Sequence, residues 1–279
     1  MPRPRGQICL LTPYILLAIL GSLEKVLAIT SKSMSTHLAP KCSIIVPCFN
    51  EAGNIFPTAE GLLSVINRYN LDAEILMVDD VSEDATRSEI LTLSSKDPRF
   101  RLIEKSLPRG MGASIRAGIA SARGEWAVMV NGDLSDPFEA IPVFQRLIME
   151  EKCDLVLLNR YLKQEDHSQV RWSYKFYQFL FRYCQYFAVG ASYRDITYGY
   201  RAFRLAFIRK LNLTGIGFEI SPECSVKTFL EKGKVGEAYG KQTCRTIGVS
   251  KFKFRKVWKG YVEVLLRGML HRFGILRYY

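Results

Sequence analysis

Five carboxylates fall where short apolar runs end: Glu51, Asp79, Asp80, Asp133 and Asp136. The stretch from Glu125 to Glu139, EWAVMVNGDLSDPFE, shows the pattern most plainly. Trp126 to Val130 make an apolar run of the kind that forms a buried parallel strand, and it stops at Asn131-Gly132-Asp133. Open α/β sheets bind ligands at the carboxyl ends of their strands, which is where Asp133 would lie. Asp136, Pro137 and Glu139 follow, and Ser135 or Asp136 can cap a helix running through Ile148. Acids gathered on one sheet edge repel each other unless a cation or hydrogen-bond donors sit among them. A divalent metal and the hydroxyls of a nucleotide answer that demand. Capping of helix ends is the other use such acids have.

The elements that must position these acids follow a regular cadence. Cys42 to Pro47 (CSIIVP) reads as a strand ending in Pro47-Cys48-Phe49-Asn50-Glu51, with a helix from there to Tyr69. Ala73 to Val78 is a second strand ending in Asp79-Asp80, and Ser82, Glu83 and Asp84 lead into a helix through Leu93 with Asp84 as its N-cap. Phe100 to Glu104 is a third strand, and Gly110 and Gly112 precede a helix from Ala113 to Ala122. Strand and helix alternating in this way predict an α/β fold with a parallel, doubly wound sheet, and bring the loops after successive strands to one edge. Gly110-Met111-Gly112 is not a dinucleotide fingerprint, because the next glycine is Gly118 and Pro108 intervenes. The pair serves either as a tight turn letting backbone approach a ligand or as a plain turn.

A chain of 279 residues can bury one large α/β core with an appendage at each end. The divisions read from the sequence are an apolar and basic segment with linker over 1–41, the main domain over 42–250, and a basic amphipathic helix over 251–279. The net charge of +12 is unevenly placed: Lys251 to Arg277 hold eight Lys or Arg against one acid, Glu263. Such an end suits a phosphate-bearing membrane surface or a nucleic acid. Nucleic acid is not expected, since no recognisable module interleaves aromatic and basic residues. Seven scattered cysteines without a C-x-x-C pair read as reduced thiols in a cytosolic setting, and three histidines at no metal-ligand spacing argue against a zinc enzyme.

Three stretches bear on the membrane. Ile8 to Leu20, interrupted by Pro13, would span about 20 Å as a helix against a hydrocarbon core of roughly 30 Å. It reads as a membrane-surface or loosely packed helix, with a signal anchor as the second reading. Arg171 to Phe187 is rich in aromatic residues and serves either the core or a lipid contact. Lys253 to Arg272 sets Val257, Tyr261, Val264, Leu265 and Leu270 among basic residues, as a helix lying on an anionic bilayer or docked on the domain. No apolar pair long enough to span the membrane follows, so a soluble-domain form that binds the membrane from its surface is expected.

In order and spacing, VPCFNE (Val46 to Glu51), VDDVSEDAT (Val78 to Thr86), PRGMGASIRAGI (Pro108 to Ile119) and NGDLSDPFEAIP (Asn131 to Pro142) resemble the successive motifs of glycosyltransferase family 2. Asn159-Arg160-Tyr161, DITYGYRAFR (Asp195 to Arg204) and RTIGVSKF (Arg245 to Phe252) resemble its polyprenyl-phosphate branch, typified by dolichyl-phosphate mannosyltransferase. The resemblance implies a GT-A (Rossmann-like) fold, a mostly parallel sheet with helices on both faces. It also implies a GDP- or UDP-linked sugar donor, Mg2+ or Mn2+, and a polyprenyl-phosphate acceptor at the cytoplasmic membrane face, and it leaves room for a membrane-anchoring partner subunit. Asp79 and Asp80 would contact base and ribose, with Pro47, Asn50, Glu51, Gly112 and Asn131 in the same pocket. Asp133 would bind the metal, with Ser135 two residues on, and Arg160, Arg201, Arg245 and Lys251 would hold the diphosphate or acceptor phosphate. The chain departs from the family pattern at Asn131, the first acid of D-x-D; at Ser135, usually Gln; and at Val81, usually Gly.

A hydroxyl acceptor needs a general base, whereas a phosphate monoester, with a second pKa of about 6, is mostly a dianion at neutral pH. A lipid phosphate therefore asks for cations, which Arg245 and Lys251 supply. Glu219 and Glu223 are the candidate bases if the acceptor is a glycan hydroxyl, and otherwise acids at a helix N-terminus. A processive synthase would carry Q-x-x-R-W, and Gln169-Val170-Arg171-Trp172 is one residue short. A non-catalytic membrane-binding protein, with Asn131 marking a lost metal site, is the third reading.

Overall fold

The computed structural model describes residues 40–160, 172–190, 193, 195–242 and 254–278. The N-terminal segment, Arg245 and Lys251 lie outside the described residues. Pro40–Tyr279 form one compact unit.

The strands are β1 (Cys42–Cys48), β2 (Ala73–Asp79), β3 (Phe100–Glu104), β4 (Trp126–Met129), β5 (Leu155–Asn159), β6 (Arg201–Arg204) and β7 (Val235–Tyr239). They form a seven-stranded sheet in the order β3-β2-β1-β4-β6-β5-β7. The helices are α1 (Ile55–Arg68), α2 (Thr86–Lys96), α3 (Met111–Ser121), α4 (Ile141–Met149), α5 (Trp172–Val189), the short α6 (Leu205–Ile208), α7 (Ile220–Leu230) and α8 (Phe254–Arg272). Pairing is parallel except around β6, which runs antiparallel to both β4 and β5.

Both faces of the sheet are covered, which is why β1, β2, β4 and β5 read as largely apolar runs. Along β1, Ile44 and Val46 point into one core with Ile55 and Leu62 of α1 and Phe144 of α4. Ile45, facing the other way, packs with Ile115 of α3, Phe203 and Ile220 of α7. A third cluster joins Ala188 of α5, Val226 of α7, Val264 and Leu265 of α8, and Tyr278.

Three sequence expectations change here. Asp84 is not the N-cap of α2: Ala85 holds that position, and Asp84 Oδ1 accepts the Thr86 N–H at 3.0 Å. Neither Ser135 nor Asp136 caps a helix: Ser135 Oγ donates to Asp133 Oδ1 at 2.6 Å, and the Asp136 carboxylate accepts the Asn131 N–H at 2.6 Å. The chain enters α4 instead through a 3-10 turn, Phe138–Ala140, after Pro137. The apolar stripe of α8 is also docked on the domain, with Tyr261, Val264 and Leu265 buried. The flank next to that stripe presents Trp258, Val262 and Leu266, between 43 and 47% exposed.

Candidate active site

The carboxyl ends of β1, β2 and β4 open into a cavity of about 520 Å³. Its lining includes Pro47, Glu51, Asp80, Asn131, Asp133, Ser135 and Arg160, seven of the residues singled out from the sequence. Phe49, Arg109, Gly110, Met111, Tyr198, Phe218, Ser221, Gln242 and Tyr261 complete much of the wall. Tyr261 arrives from α8, a contribution that no local pattern announces.

The acids are not left to repel one another, because the protein supplies donors of its own. Glu51 Oε2 accepts from Asn54 Nδ2 at 2.7 Å. Asp80 receives the Gly110 N–H at 2.8 Å and pairs with Lys105 Nζ at 2.5 Å. Lys105 in turn donates to the Pro108 carbonyl at 2.6 Å, so this ion pair ties the loop before α3 to the end of β2. Gly110 adopts φ +151°, and a side chain there would collide with the Ile216 carbonyl.

Asp136 lies behind the cavity wall and is 5% exposed. Besides the Asn131 N–H it accepts from Asn131 Nδ2 at 3.1 Å and from the Tyr198 hydroxyl at 2.6 Å. Burial pushes its carboxyl from 3.8 up to about 6; the three hydrogen bonds oppose the rise and the neighbouring Asp133 charge adds to it. Burial, and then the Asp136 charge, push the Tyr198 phenol far above its ordinary value.

Arg160 is fixed on the wall by a bidentate pair with the buried Asp195, at 2.7 and 3.1 Å, and by Gln242 at 2.8 Å. Its guanidinium stands over the Tyr198 ring, 4.1 Å from the centroid.

Four expected site residues do not line the cavity. Arg201 is fully buried, and its guanidinium donates to the carbonyls of Ile196, Tyr198 and Ser221 and to Ser225 Oγ. It holds the 196–201 segment to α7 and cannot reach a phosphate; burial lowers its pKa. Asp79 accepts the Ser82 N–H at 3.1 Å, closing the turn after β2. Asn50 faces the neighbouring loop, accepting the Glu83 N–H at 2.9 Å. Gly112 makes room for packing: a Cβ would stand 2.5 Å from the Gly215 carbonyl oxygen.

Glu219 and Glu223 are also committed elsewhere. Glu223 accepts from the Thr214 and Gly215 N–H groups and pairs with the buried Lys227 at 2.9 Å. Glu219 accepts from the Ile216 and Gly217 N–H groups. Both acids organise the turn before α7.

The donors at the tip of β4 are oxygens: the Asn131 carboxamide, the Asp133 carboxylate and the Ser135 hydroxyl. Hard cations such as Mg2+ and Mn2+ favour such a set. Among the described residues, no group of three His, Cys, Asp or Glu could hold a metal ion. The residues therefore fit an ion that draws its remaining ligands from a phosphate-bearing ligand.

A seven-stranded, mostly parallel sheet with a nucleotide-sized, acid-edged cavity at its strand ends defines a GT-A-like fold. Glucosyl-3-phosphoglycerate synthase from Mycobacterium tuberculosis, solved with uridine-diphosphate, shares that fold at TM-score 0.60 and 17% identity, over 86% of this chain and 82% of that one. The same enzyme has been crystallised with Mn2+, UDP-Glc and phosphoglyceric acid.

Residues 43–211 match Glycosyl transferase family 2, and the chain belongs to that family. Dolichol-phosphate mannosyltransferase of Pyrococcus furiosus is 29% identical over 82% of this chain and 64% of its own length. Dodecaprenyl-phosphate galacturonate synthase of Rhizobium johnstonii is 25% identical over 80% of this chain and 65% of its own. The matched region thus spans less than two thirds of the length of these relatives.

Proposed function

We propose that this chain transfers a monosaccharide from a GDP- or UDP-linked donor to a polyprenyl phosphate at the cytoplasmic membrane face. The observation that carries the reading is the commitment of Glu219 and Glu223 to the turn before α7, which removes the two candidate bases for a hydroxyl acceptor. A phosphate acceptor needs no such base, because it arrives already ionised. The names of the Pyrococcus and Rhizobium relatives point the same way.

In this reading the nucleoside diphosphate occupies the cavity, with Glu51 and Asp80 on the nucleoside side. Asp133, assisted by the oxygens of Asn131 and Ser135, would hold a Mg2+ or Mn2+ ion, which stabilises charge on the departing diphosphate when bound. Arg109, paired with Glu83 at 2.7 Å, and Arg160, paired with Asp195, bring guanidinium N–H groups to the wall, where phosphate oxygens gain charge-assisted hydrogen bonds. Tyr198 and Asp136 keep Asn131 in register with Asp133. The cavity walls confine the donor so that the acceptor phosphate meets the anomeric carbon opposite the leaving group. Arg245 and Lys251 are assigned to the acceptor phosphate by their motif.

The membrane part of the reading rests on surface chemistry. Phe179, Tyr183, Tyr186 and Phe187 of α5 are exposed, as are Trp258, Val262 and Leu266 of α8 and Phe273, Ile275 and Leu276 beyond it. Lys259, Arg267 and Arg272 lie among the α8 positions, a combination suited to an anionic bilayer or to an anchoring subunit. Among the described residues no helix is long and apolar enough to cross a membrane.

The test is transfer of radiolabelled sugar from a panel of GDP- and UDP-sugars to polyprenyl phosphate, with Mn2+ or Mg2+ and with EDTA, on the wild type and Asp133→Ala. Organic-extractable, mild-acid-labile product that disappears with EDTA and in the variant is the expected result. Nucleotide-sugar binding without lipid product would move the acceptor to a glycan hydroxyl, and no binding at all would end the enzyme reading.

A further inference from the structure

The tip of β4 carries less negative charge than the cluster of acids around it suggests. Asn131 and Asp133 flank Gly132 and offer one carboxylate between them, and Ser135 adds a neutral hydroxyl. The next acid in the chain, Asp136, is turned inward onto Asn131 and Tyr198. An ionised carboxylate can only accept, so its contact with the carboxamide fixes the Asn131 amide: Nδ2 faces Asp136. The carboxamide as a whole stands beside Gly199, which lines the cavity: a Cβ on that residue would lie 3.6 Å from Oδ1 and 3.9 Å from Nδ2, and with Nδ2 engaged by Asp136 it is Oδ1 that remains to accept.

This arrangement explains the residue type. A second carboxylate at position 131 would face Asp136 across the 3.1 Å now bridged by an N–H, replacing a hydrogen bond with like-charge repulsion. Asparagine keeps the oxygen and removes the charge. The consequence falls on the cation: affinity of oxygen sites for hard divalent ions follows ligand charge, and small ions such as Mg2+ give up water reluctantly. One carboxylate with two neutral oxygens is a weak site. The phosphates of a nucleoside diphosphate contribute the charge it lacks.

Taking the cavity as the nucleotide-sugar site proposed above, we infer that the tip of β4 is not a standing divalent-ion site. The ion is held only together with the nucleoside diphosphate, and Asn131 is the positioning residue that makes the two bind as a unit. Ion and nucleotide are then coupled ligands, and each raises the affinity of the other by the same factor.

The test is a binding titration on the full chain that needs no turnover. UDP and GDP are titrated calorimetrically with and without Mn2+, and Mn2+ is titrated alone with its free-ion paramagnetic resonance signal as readout; nucleotide with Mn2+ but no protein is the blank. The wild type is expected to show nucleotide affinity raised about 10- to 100-fold by Mn2+, and Mn2+ alone bound no better than millimolar. Asn131→Asp is expected to bind Mn2+ without nucleotide at least tenfold more tightly than the wild type, and to show a smaller coupling factor. Asp133→Asn is expected to lose the coupling while still binding nucleotide.

Tight binding of Mn2+ to the nucleotide-free wild type, lost in Asp133→Asn, would overturn the inference by revealing a standing site. Equal Mn2+ affinity in Asn131→Asp and the wild type would overturn the part assigned to Asn131. If Asn131→Asp fails to fold, Asn131→Ser decides that part: the absence of any change in coupling when the carboxamide is removed overturns it. Nucleotide bound equally well with and without Mn2+ would sink the inference and leave the transferase reading standing. Binding of neither UDP nor GDP under any condition would remove both.

Discussion

The raised pKa of Asp136 makes the stability of this protein depend on pH in a direction opposite to that of an ordinary paired carboxylate. Its native value is about 6 against 3.8 for an unperturbed aspartate. Between those values the native state holds a proton that the unfolded chain has released, so stability rises as pH falls. Over that whole interval, at 1.36 kcal/mol per pH unit, the effect is about 3 kcal/mol. It is absent above the native pKa and complete only below the unfolded one. Between roughly pH 7.5 and 4.5 about 2 kcal/mol of it should appear. Asp136→Asn keeps the shape of the side chain and removes the titration. Urea unfolding of both proteins at closely spaced pH values isolates the effect as a difference, cancelling the carboxylates common to both. The wild type should gain about 2 kcal/mol on the variant as pH falls across that range. A difference that stays flat, or that shrinks with falling pH, would refute the argument that burial dominates over the hydrogen bonds from Tyr198 and Asn131.

Three further substitutions test the roles assigned above. Arg201→Met strands the buried carbonyls of Ile196, Tyr198 and Ser221 and should lower stability by about 3 kcal/mol or more; nucleotide affinity per folded molecule should be unchanged, whereas a phosphate-binding Arg201 would show a large loss in calorimetry. Val81, a β-branched residue at φ +59°, occupies a conformation that costs about 1–2 kcal/mol. Val81→Gly should therefore raise stability by about 1 kcal/mol after the extra chain entropy of glycine, read as a thermal midpoint about 2–4 °C higher. Gly112→Ala drives a methyl against the Gly215 carbonyl and should cost about 1–3 kcal/mol. Because Gly110 and Met111 line the cavity just before it, that variant should also weaken nucleotide binding, measured by calorimetry.

The amino-acid sequence by itself determined the order of strands and helices through β4, because apolar runs and turn residues act over a few neighbours. The observed α1 and α3 lie within two residues of the expected bounds at their C-terminal ends, and β3 coincides with its expected range. It also determined that acids would gather at the carboxyl edge, since Glu51, Asp80 and Asp133 each follow such a run. Tertiary structure decided which acids face the cavity. Asp136 turns inward because Tyr198, 62 residues away, meets it at 2.6 Å, and Asp80 is held by a lysine and a glycine from the loop after β3. Arg201 carries a motif residue's signature, yet it became a buried brace because an antiparallel strand slipped between β4 and β5 and set it against α7. The stripe of α8 could suit a bilayer or a domain surface equally well; the packing of α5 and α7 settled which face was covered and delivered Tyr261 to the cavity. The physical reason is the same in each case: apolar periodicity is a local property, whereas the partner that satisfies a polar group, or covers an apolar one, is supplied by chain far away in sequence.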